Sequence, residues 1–128
     1  MPLALQNFVV TAGDTTEIDF VAYESNGTTP LSLAGVDIEW HMTRFPGDAA
    51  TALISKSLID GVSDGITSPV LTDGAFVIAL ASADTADIMP GRYFHGAKVT
   101  DSSNNVSTIA IGFAVIEPAA VVAPPVVP

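Results

Sequence analysis

The sequence contains no cysteine among its 128 residues. This absence excludes disulfide bonds, thiolate catalysis and cysteine-ligated zinc, and it favours maturation in a reducing compartment such as a cytoplasm. Basic residues are also scarce, because four of them face fourteen acids and the formal net charge is −10. A chain with that charge repels a phosphate backbone, so we expect no nucleic-acid partner.

Long apolar runs are absent as well. No stretch approaches the roughly 18 to 20 apolar residues that a membrane helix needs. The opening residues, MPLALQNF, lack the positive charge and the apolar core of a signal peptide. We therefore expect an unexported chain with no membrane partner.

Motifs for catalysis or metal binding are missing too. The sequence has no P-loop, no dinucleotide-binding fingerprint, no zinc-protease helix motif and no nucleophile elbow. His41 and His95 are its only histidines, and both lie in extended segments where a packed or solvated imidazole is the usual case. The Asp-Gly pairs of residues 60–74 resemble calcium ligands only loosely, since such pairs are typical of hairpin turns. We predict no enzyme, no catalytic residue, no cofactor and no metal.

What the sequence does contain is apolar residues alternating with polar ones. In VDIEWHMT, residues 36–43, the alternation places Trp40 and three other apolar side chains on one face of a strand. Similar segments lie near residues 6–11, 16–24, 51–58, 75–81, 91–100 and 106–116, separated by turn signals such as Asn-Gly and Asp-Gly. The pattern predicts an all-β protein, an antiparallel β-sandwich of seven to eight strands.

Alternation also predicts which side chains point inward toward Trp40. These are Ile18, Phe20 and Ala22 in one strand, Phe76, Ile78 and Leu80 in another, and Ile109, Ile111, Phe113 and Val115 in the last. One segment departs from the strand pattern, because residues 82–88 begin with a serine that can cap a helix and end before Pro90-Gly91. We predict one short helical turn there, with Ser82 as its N-cap.

The sequence divides into a sandwich, residues 1–117, and a proline-rich C-terminal tail, residues 118–128. The tail reads PAAVVAPPVVP and carries no charged side chain. Apolar proline-rich segments favour the extended polyproline II conformation, which serves as a linker or lies along a groove. The tail is therefore either a disordered end or a segment that docks on a neighbour.

The order of these segments resembles a known family. The passage PLSLAGVDIEWHM, which leads into a central strand, the passage GAFVIALASADTADIMPGRYFHGAKVTD and the closing strand ending in GFAVIEP are similar to immunoglobulin-like modules of tailed-bacteriophage particles. The similarity covers residues 7–117. Among these modules are the N-terminal domain of baseplate upper proteins and small head or tail accessory proteins. The resemblance implies an immunoglobulin-like fold and a virion structural protein that is assembled in the host cytoplasm.

Baseplate proteins continue beyond the sandwich into a receptor-binding or adaptor region, whereas here a proline-rich tail follows. That difference favours a capsid decoration, cement or head accessory protein, bound in many copies to a lattice of the major capsid protein. A structural component of the tail or baseplate, bound to a tail protein, is the alternative. A carbohydrate- or cell-surface-binding module is an alternative of another class, for which Tyr23, Phe45, Tyr93 and Phe94 are the candidate aromatics.

Attachment to a lattice is expected to use the ends of the chain and an end loop, because extended arms and sheet edges offer backbone hydrogen bonds to a neighbour. The predicted partner-binding residues are Pro2, Leu3 and Phe8 near the N-terminus, Phe45 in the loop of residues 45–50, and Pro118, Val121, Val122, Pro124, Pro125, Val126 and Val127 in the tail.

Overall fold

A computed structural model describes residues 4–24, 26–45, 52–68 and 73–119 of the chain. The elements, in chain order, are β1 (Ala4–Leu5), β2 (Phe8–Thr11), β3 (Thr16–Val21), β4 (Asp37–Thr43), β5 (Ile54–Ile59), β6 (Val62–Asp64), β7 (Ile66–Thr67), β8 (Ala75–Leu80), α1 (Ser82–Ala86), β9 (Gly91–Thr100) and β10 (Val106–Glu117). Seven of these strands have four residues or more, and the other three have two or three. The predicted all-β class and the short helical turn are confirmed.

The strands form two sheets. The large sheet has the order β1-β10-β9-β4-β5-β6, with β2 also paired to β10, and the small sheet has the order β3-β8-β7. Every pairing is antiparallel except those of β1 and β2, which run parallel to β10. This is the strand arrangement of an immunoglobulin-like sandwich of the variable type.

The core lies between the two sheets and follows the predicted alternation in β3, β4 and β8. Trp40, Ile38 and Met42 are fully buried on the inner face of β4. From the small sheet, the rings of Phe20 and Phe76 stack with their centroids 5.1 Å apart. Burial of each large apolar side chain contributes roughly 2 to 3 kcal/mol to folding.

The prediction for β10 was right for Ile109 and wrong for the residues after it. The pairing of β10 with β9 shifts register between Thr108 and Ala110, and Ile109 and Ala110 are both buried. Because this bulge inserts one residue, the side chains beyond it exchange faces. Ala114 and Ile116 point into the core, whereas Ile111, Phe113 and Val115 lie on the outer face of the large sheet.

The helix α1 bridges the end of the sandwich between β8 and β9. Its N-cap is Ala81 and not the predicted Ser82. The Asp84 carboxylate accepts a hydrogen bond from the Ala81 N–H at 2.7 Å and forms an ion pair with Lys56 of β5 at 2.8 Å. Burial opposes ionisation of this carboxyl, but the Lys56 ammonium and the Ala81 N–H together lower the pKa of Asp84. In the described part of the chain, no helix has the length and apolar composition to cross a membrane.

Candidate functional site

The outer face of the large sheet carries a groove of about 540 Å³. Strand β4 contributes Glu39, His41 and Thr43, and β9 contributes Phe94, Gly96 and Lys98, since these positions alternate with the inward side chains. The far side is formed by Thr108, Ile111, Gly112 and Phe113 of β10 and by Leu5 of β1. The groove thus crosses the middle of the sheet, on the side away from the core.

The floor of the groove is apolar. The Phe94 and Phe113 rings pack together with their centroids 5.3 Å apart, and Ile111 beside them remains 40% exposed. Gly96 pairs with His41 on one side and with Ile111 on the other. Because Gly96 has no side chain, the sheet surface is depressed between those two neighbours. The result is a concave apolar surface with an aromatic pair at one end.

The polar groups of the groove lie on its rim and are mostly paired. Lys98 and Glu39 form an ion pair at 3.4 Å, with both side chains partly exposed. The Thr43 hydroxyl donates to the Phe45 carbonyl at 2.6 Å. Arg92 stacks on the outer side of the Phe113 ring, 4.5 Å from its centroid. A groove with an apolar floor and an internally neutralised ion pair is suited to an uncharged apolar ligand.

His95 lies on the opposite, inner face of the same sheet and is 5% exposed. Its Nδ1 accepts a hydrogen bond from Trp40 Nε1 at 3.1 Å, so its Nε2 carries the proton and donates to the Gln6 carbonyl at 2.5 Å. Burial lowers the pKa of His95, although the hydrogen bond to Gln6 acts in the other direction. The imidazole is therefore neutral and fully hydrogen-bonded, which is the packed histidine expected from the sequence.

The position of His95 has a counterpart in antibody domains. The Tyr93 hydroxyl donates a hydrogen bond to the Met89 carbonyl. In antibody domains, a tyrosine that bonds to the backbone in this way, the tyrosine corner, lies two residues before the second cysteine of the disulfide between the sheets. Here that second position holds His95, whose ring packs against Phe20 of the small sheet with centroids 6.0 Å apart. His95, which is hydrogen-bonded to Trp40, therefore lies at the position that a disulfide-bonded cysteine has in antibody domains.

The N-terminal segment is fixed next to His95. The Gln6 N–H donates to the Ile111 carbonyl at 2.8 Å, and its side-chain amide donates to the Asp19 carbonyl of the small sheet at 2.8 Å. The Asn7 side chain accepts from the Phe113 N–H at 2.8 Å. Gly112 allows this approach, because a Cβ there would overlap the Gln6 carbonyl. The segment between β1 and β2 thus connects both sheets and contacts the histidine.

The two histidines do not form a joint site. His41 lies on the outer face of β4 and His95 on the inner face of β9, with the sheet between them. Across residues 4–24, 26–45, 52–68 and 73–119, no three acidic or histidine side chains converge in a way that could hold a metal ion. The Asp60-Gly61 pair forms the turn between β5 and β6, the hairpin role that such pairs usually have.

The predicted partner-binding residues are dispersed. Phe8 is half-buried and packs against the core, with its ring centroid 4.7 Å from that of His95. Phe45 is 61% exposed at the end of the sandwich, and Pro118 is exposed beyond β10. The remaining predicted residues lie outside the described residues: Pro2, Leu3, Val121, Val122, Pro124, Pro125, Val126 and Val127. Of the candidate aromatics for sugar binding, Tyr93 is buried and Phe94 belongs to the groove floor.

The groove itself was not predicted from the sequence. Its floor depends on Ile111 and Phe113 facing outward, and simple alternation from Ile109 placed them inward. The available signal was the pair of glycines within strands, Gly96 and Gly112, since a glycine inside a strand often marks a bulge or a close backbone approach.

Comparison with known proteins identifies no family. No family model matches the sequence, and no curated protein matches it. Among solved structures, CopC from Methylosinus trichosporium OB3b is similar at 11% identity, covering 90% of this chain and 87% of that chain with a TM-score of 0.42. A similarity this low carries no argument about fold or function.

Proposed function

We propose that this protein is a non-enzymatic structural protein of a tailed-bacteriophage particle, which decorates the capsid in many copies. Its partners are the major capsid protein and further copies of itself, and its location is the virion. The rigid sandwich is the body of the decoration, and its exposed apolar surfaces and chain ends make the attachments.

The segments that carry the family resemblance support this proposal. DIEWHMT forms β4, GRYFHGAKVT forms β9, and GFAVIE belongs to β10. These three strands build the centre of the large sheet, including its groove and its buried tryptophan. The resemblance therefore concerns the body of the fold and the surface that it presents.

The observation that carries the proposal is the exposed apolar groove on a strongly acidic protein. Phe94, Phe113 and Ile111 form a continuous apolar floor, while the chain as a whole carries a net charge of −10. An exposed apolar groove is one kind of surface through which a domain binds a ligand or another protein. Display in many copies on a lattice strengthens such contacts, because each added contact becomes effectively intramolecular.

The test uses phage particles whose genome encodes the chain. Quantitative mass spectrometry of purified particles measures the copy number relative to the major capsid protein, and electron cryo-microscopy with and without the gene locates the missing density. We expect a copy number comparable to that of the capsid protein and a density lost from the capsid surface.

Other outcomes overturn the proposal in distinct ways. A handful of copies at the tail, with an unchanged capsid, would support the tail or baseplate alternative. Absence of the chain from washed particles would remove the virion role altogether. Saturable heat on titration with glycans would then favour the carbohydrate-binding alternative, for which Tyr23 and Phe45 are the exposed aromatics.

A further inference from the structure

The groove on the outer face has the chemistry of a site for an apolar, proline-containing peptide. Its floor combines the Phe94–Phe113 pair with Ile111, and aromatic-lined grooves are the surfaces that bind extended polyproline II segments. Such segments bind with a small entropic cost because their conformation is already restricted. The surface therefore selects an uncharged, extended, apolar ligand.

The chain itself contains one segment of that kind. Residues 120–128 read AVVAPPVVP, with three prolines, four valines and no charged side chain. The segment follows Ala119, two residues beyond the end of β10. Its composition matches the apolar floor, and its neutrality lets it approach a protein whose other surfaces repel a second copy through their negative charge.

The direction in which this segment leaves the sheet favours a second copy. β10 runs from the groove toward Glu117, and Ile111, at the centre of the groove, precedes Glu117 by six residues, which is about 20 Å along a strand. The segment therefore starts beyond the groove, and the chain is heading away from it. To fill its own groove, the chain would have to reverse direction and run back along β10.

A neighbouring copy can be filled without such a reversal. The groove runs from Thr108 to Phe113 along β10, about 17 Å, which five or six polyproline II residues match. We propose that the groove of one copy binds residues 120–128 of a second copy, so that the tails link adjacent copies. This inference rests on the proposed function in one respect: many copies in an array supply the second chain at high local concentration.

The test uses purified protein without particles. A synthetic peptide of residues 120–128 is titrated into a version of the chain that ends at Ala119, and backbone amide shifts are followed by NMR. We expect shifts at Phe94, Gly96, Ile111 and Phe113. In parallel, sedimentation equilibrium is expected to show concentration-dependent self-association of the full chain and none of the shortened one.

Two variants of the shortened chain sharpen the result. Ile111→Asp places a charge on the apolar floor and should weaken peptide binding at least about tenfold, because the carboxylate loses hydration when the peptide covers it. Val62→Asp is the matched control, since Val62 is 70% exposed on β6, away from the groove, and should leave binding unchanged. Circular dichroism checks that both variants keep the fold.

Three results would overturn the inference. The peptide could fail to bind at millimolar concentration, or it could shift amides elsewhere and ignore Ile111→Asp. The full chain could also stay monomeric and exclude the peptide, which would mean that its own tail fills the groove. This test uses no particle, so its outcome is independent of the virion role. If the tails link copies of the purified protein but the chain is absent from virions, only the proposed function is refuted. A virion protein whose groove ignores the peptide would refute only this inference.

Discussion

The two faces of the large sheet use the same residue types for opposite purposes. On the inner face Trp40, His95 and Gly112 are enclosed by the small sheet and the N-terminal segment. On the outer face Phe94, His41 and Gly96 line an open groove. On the inner face the tryptophan ring fills the core, the histidine makes buried hydrogen bonds, and the glycine lets the N-terminal segment approach closely. On the outer face the same three residue types line the groove. Burial, more than residue type, decides the role.

The first and largest test of this comparison sets Trp40 against Phe94. Trp40→Ala removes a fully buried ring that also donates to His95, and we expect a loss of about 3 to 5 kcal/mol in the free energy of unfolding. Phe94→Ala removes a half-buried ring on the groove floor and should cost about 1 to 2 kcal/mol. Urea denaturation measures both. Equal costs would show that the outer face is also core.

The second test sets Gly112 against Gly96. Gly112→Ala forces the Gln6 carbonyl away and breaks its hydrogen bond with His95, for an expected loss of about 2 to 3 kcal/mol. Gly96→Ala brings a methyl group to 3.4 Å from the Ala110 carbonyl and should cost less than about 1 kcal/mol. Thermal unfolding of the two variants provides the comparison. If Gly112→Ala is tolerated as well as Gly96→Ala, the N-terminal segment is not held as described.

The third test is the pH dependence of stability. Burial lowers the pKa of His95 in the folded chain, so the unfolded chain binds more protons once the pH falls below about 6.5. The contribution of neutral His95 is therefore complete above that pH and is lost as the pH falls through the folded-state pKa. We expect the urea concentration at the unfolding midpoint to decrease as the pH is lowered from 7.5 to 5.5.

Two histidine variants test whether His95 causes this dependence of stability on pH. His95→Gln should cost about 1 to 2 kcal/mol at pH 7.5, because the buried hydrogen bonds are only partly replaced, and it should flatten the slope. His41→Gln, on the outer face, should keep the slope of the natural chain. A slope that survives His95→Gln would assign the acid sensitivity to another group.

The smallest expected effect on stability comes from removing the lysine of an ion pair, and it compares Lys56 with Lys98. Lys56→Met leaves the Asp84 carboxylate, largely enclosed at the end of the sandwich, without its cation and should cost about 1 kcal/mol. Lys98→Met breaks a longer and more exposed ion pair with Glu39 and should change stability by less than about 0.5 kcal/mol. Raising the salt concentration should affect neither variant strongly. A larger loss from Lys98→Met would reveal a structural role for the rim of the groove.

The inner face was largely predictable from the sequence and the outer face was not. Alternation identified Trp40, Phe20 and Phe76 as core residues, because a strand with one buried face repeats its apolar side chains at every second position. The same rule failed after Ile109, since one inserted residue reverses the faces of all that follow. The groove depends on that reversal, so its floor required the register of β9 and β10.

The role of His95 was also beyond sequence reasoning. Its partners, Trp40 and Gln6, are 55 and 89 residues away along the chain, and nothing local indicates which groups will meet it. The helix cap shows the same limit on a smaller scale. Ser82 has the preferred residue type for an N-cap, but the Asp84 carboxylate binds the Ala81 N–H and moves the start of the helix by one residue.

The position of the N-terminal segment has a consequence for the order of folding. Gln6 bonds to His95 of β9, 89 positions away, and Asn7 bonds to Phe113 of β10, 106 positions away. These are the last two of the described strands in chain order. Closing such long loops is entropically costly and slows folding relative to the formation of hairpins. We expect the hairpin strands to pair first and residues 4–12 to join the sheet last. Protection of the Gln6 amide from hydrogen exchange would then report that the whole sandwich is complete.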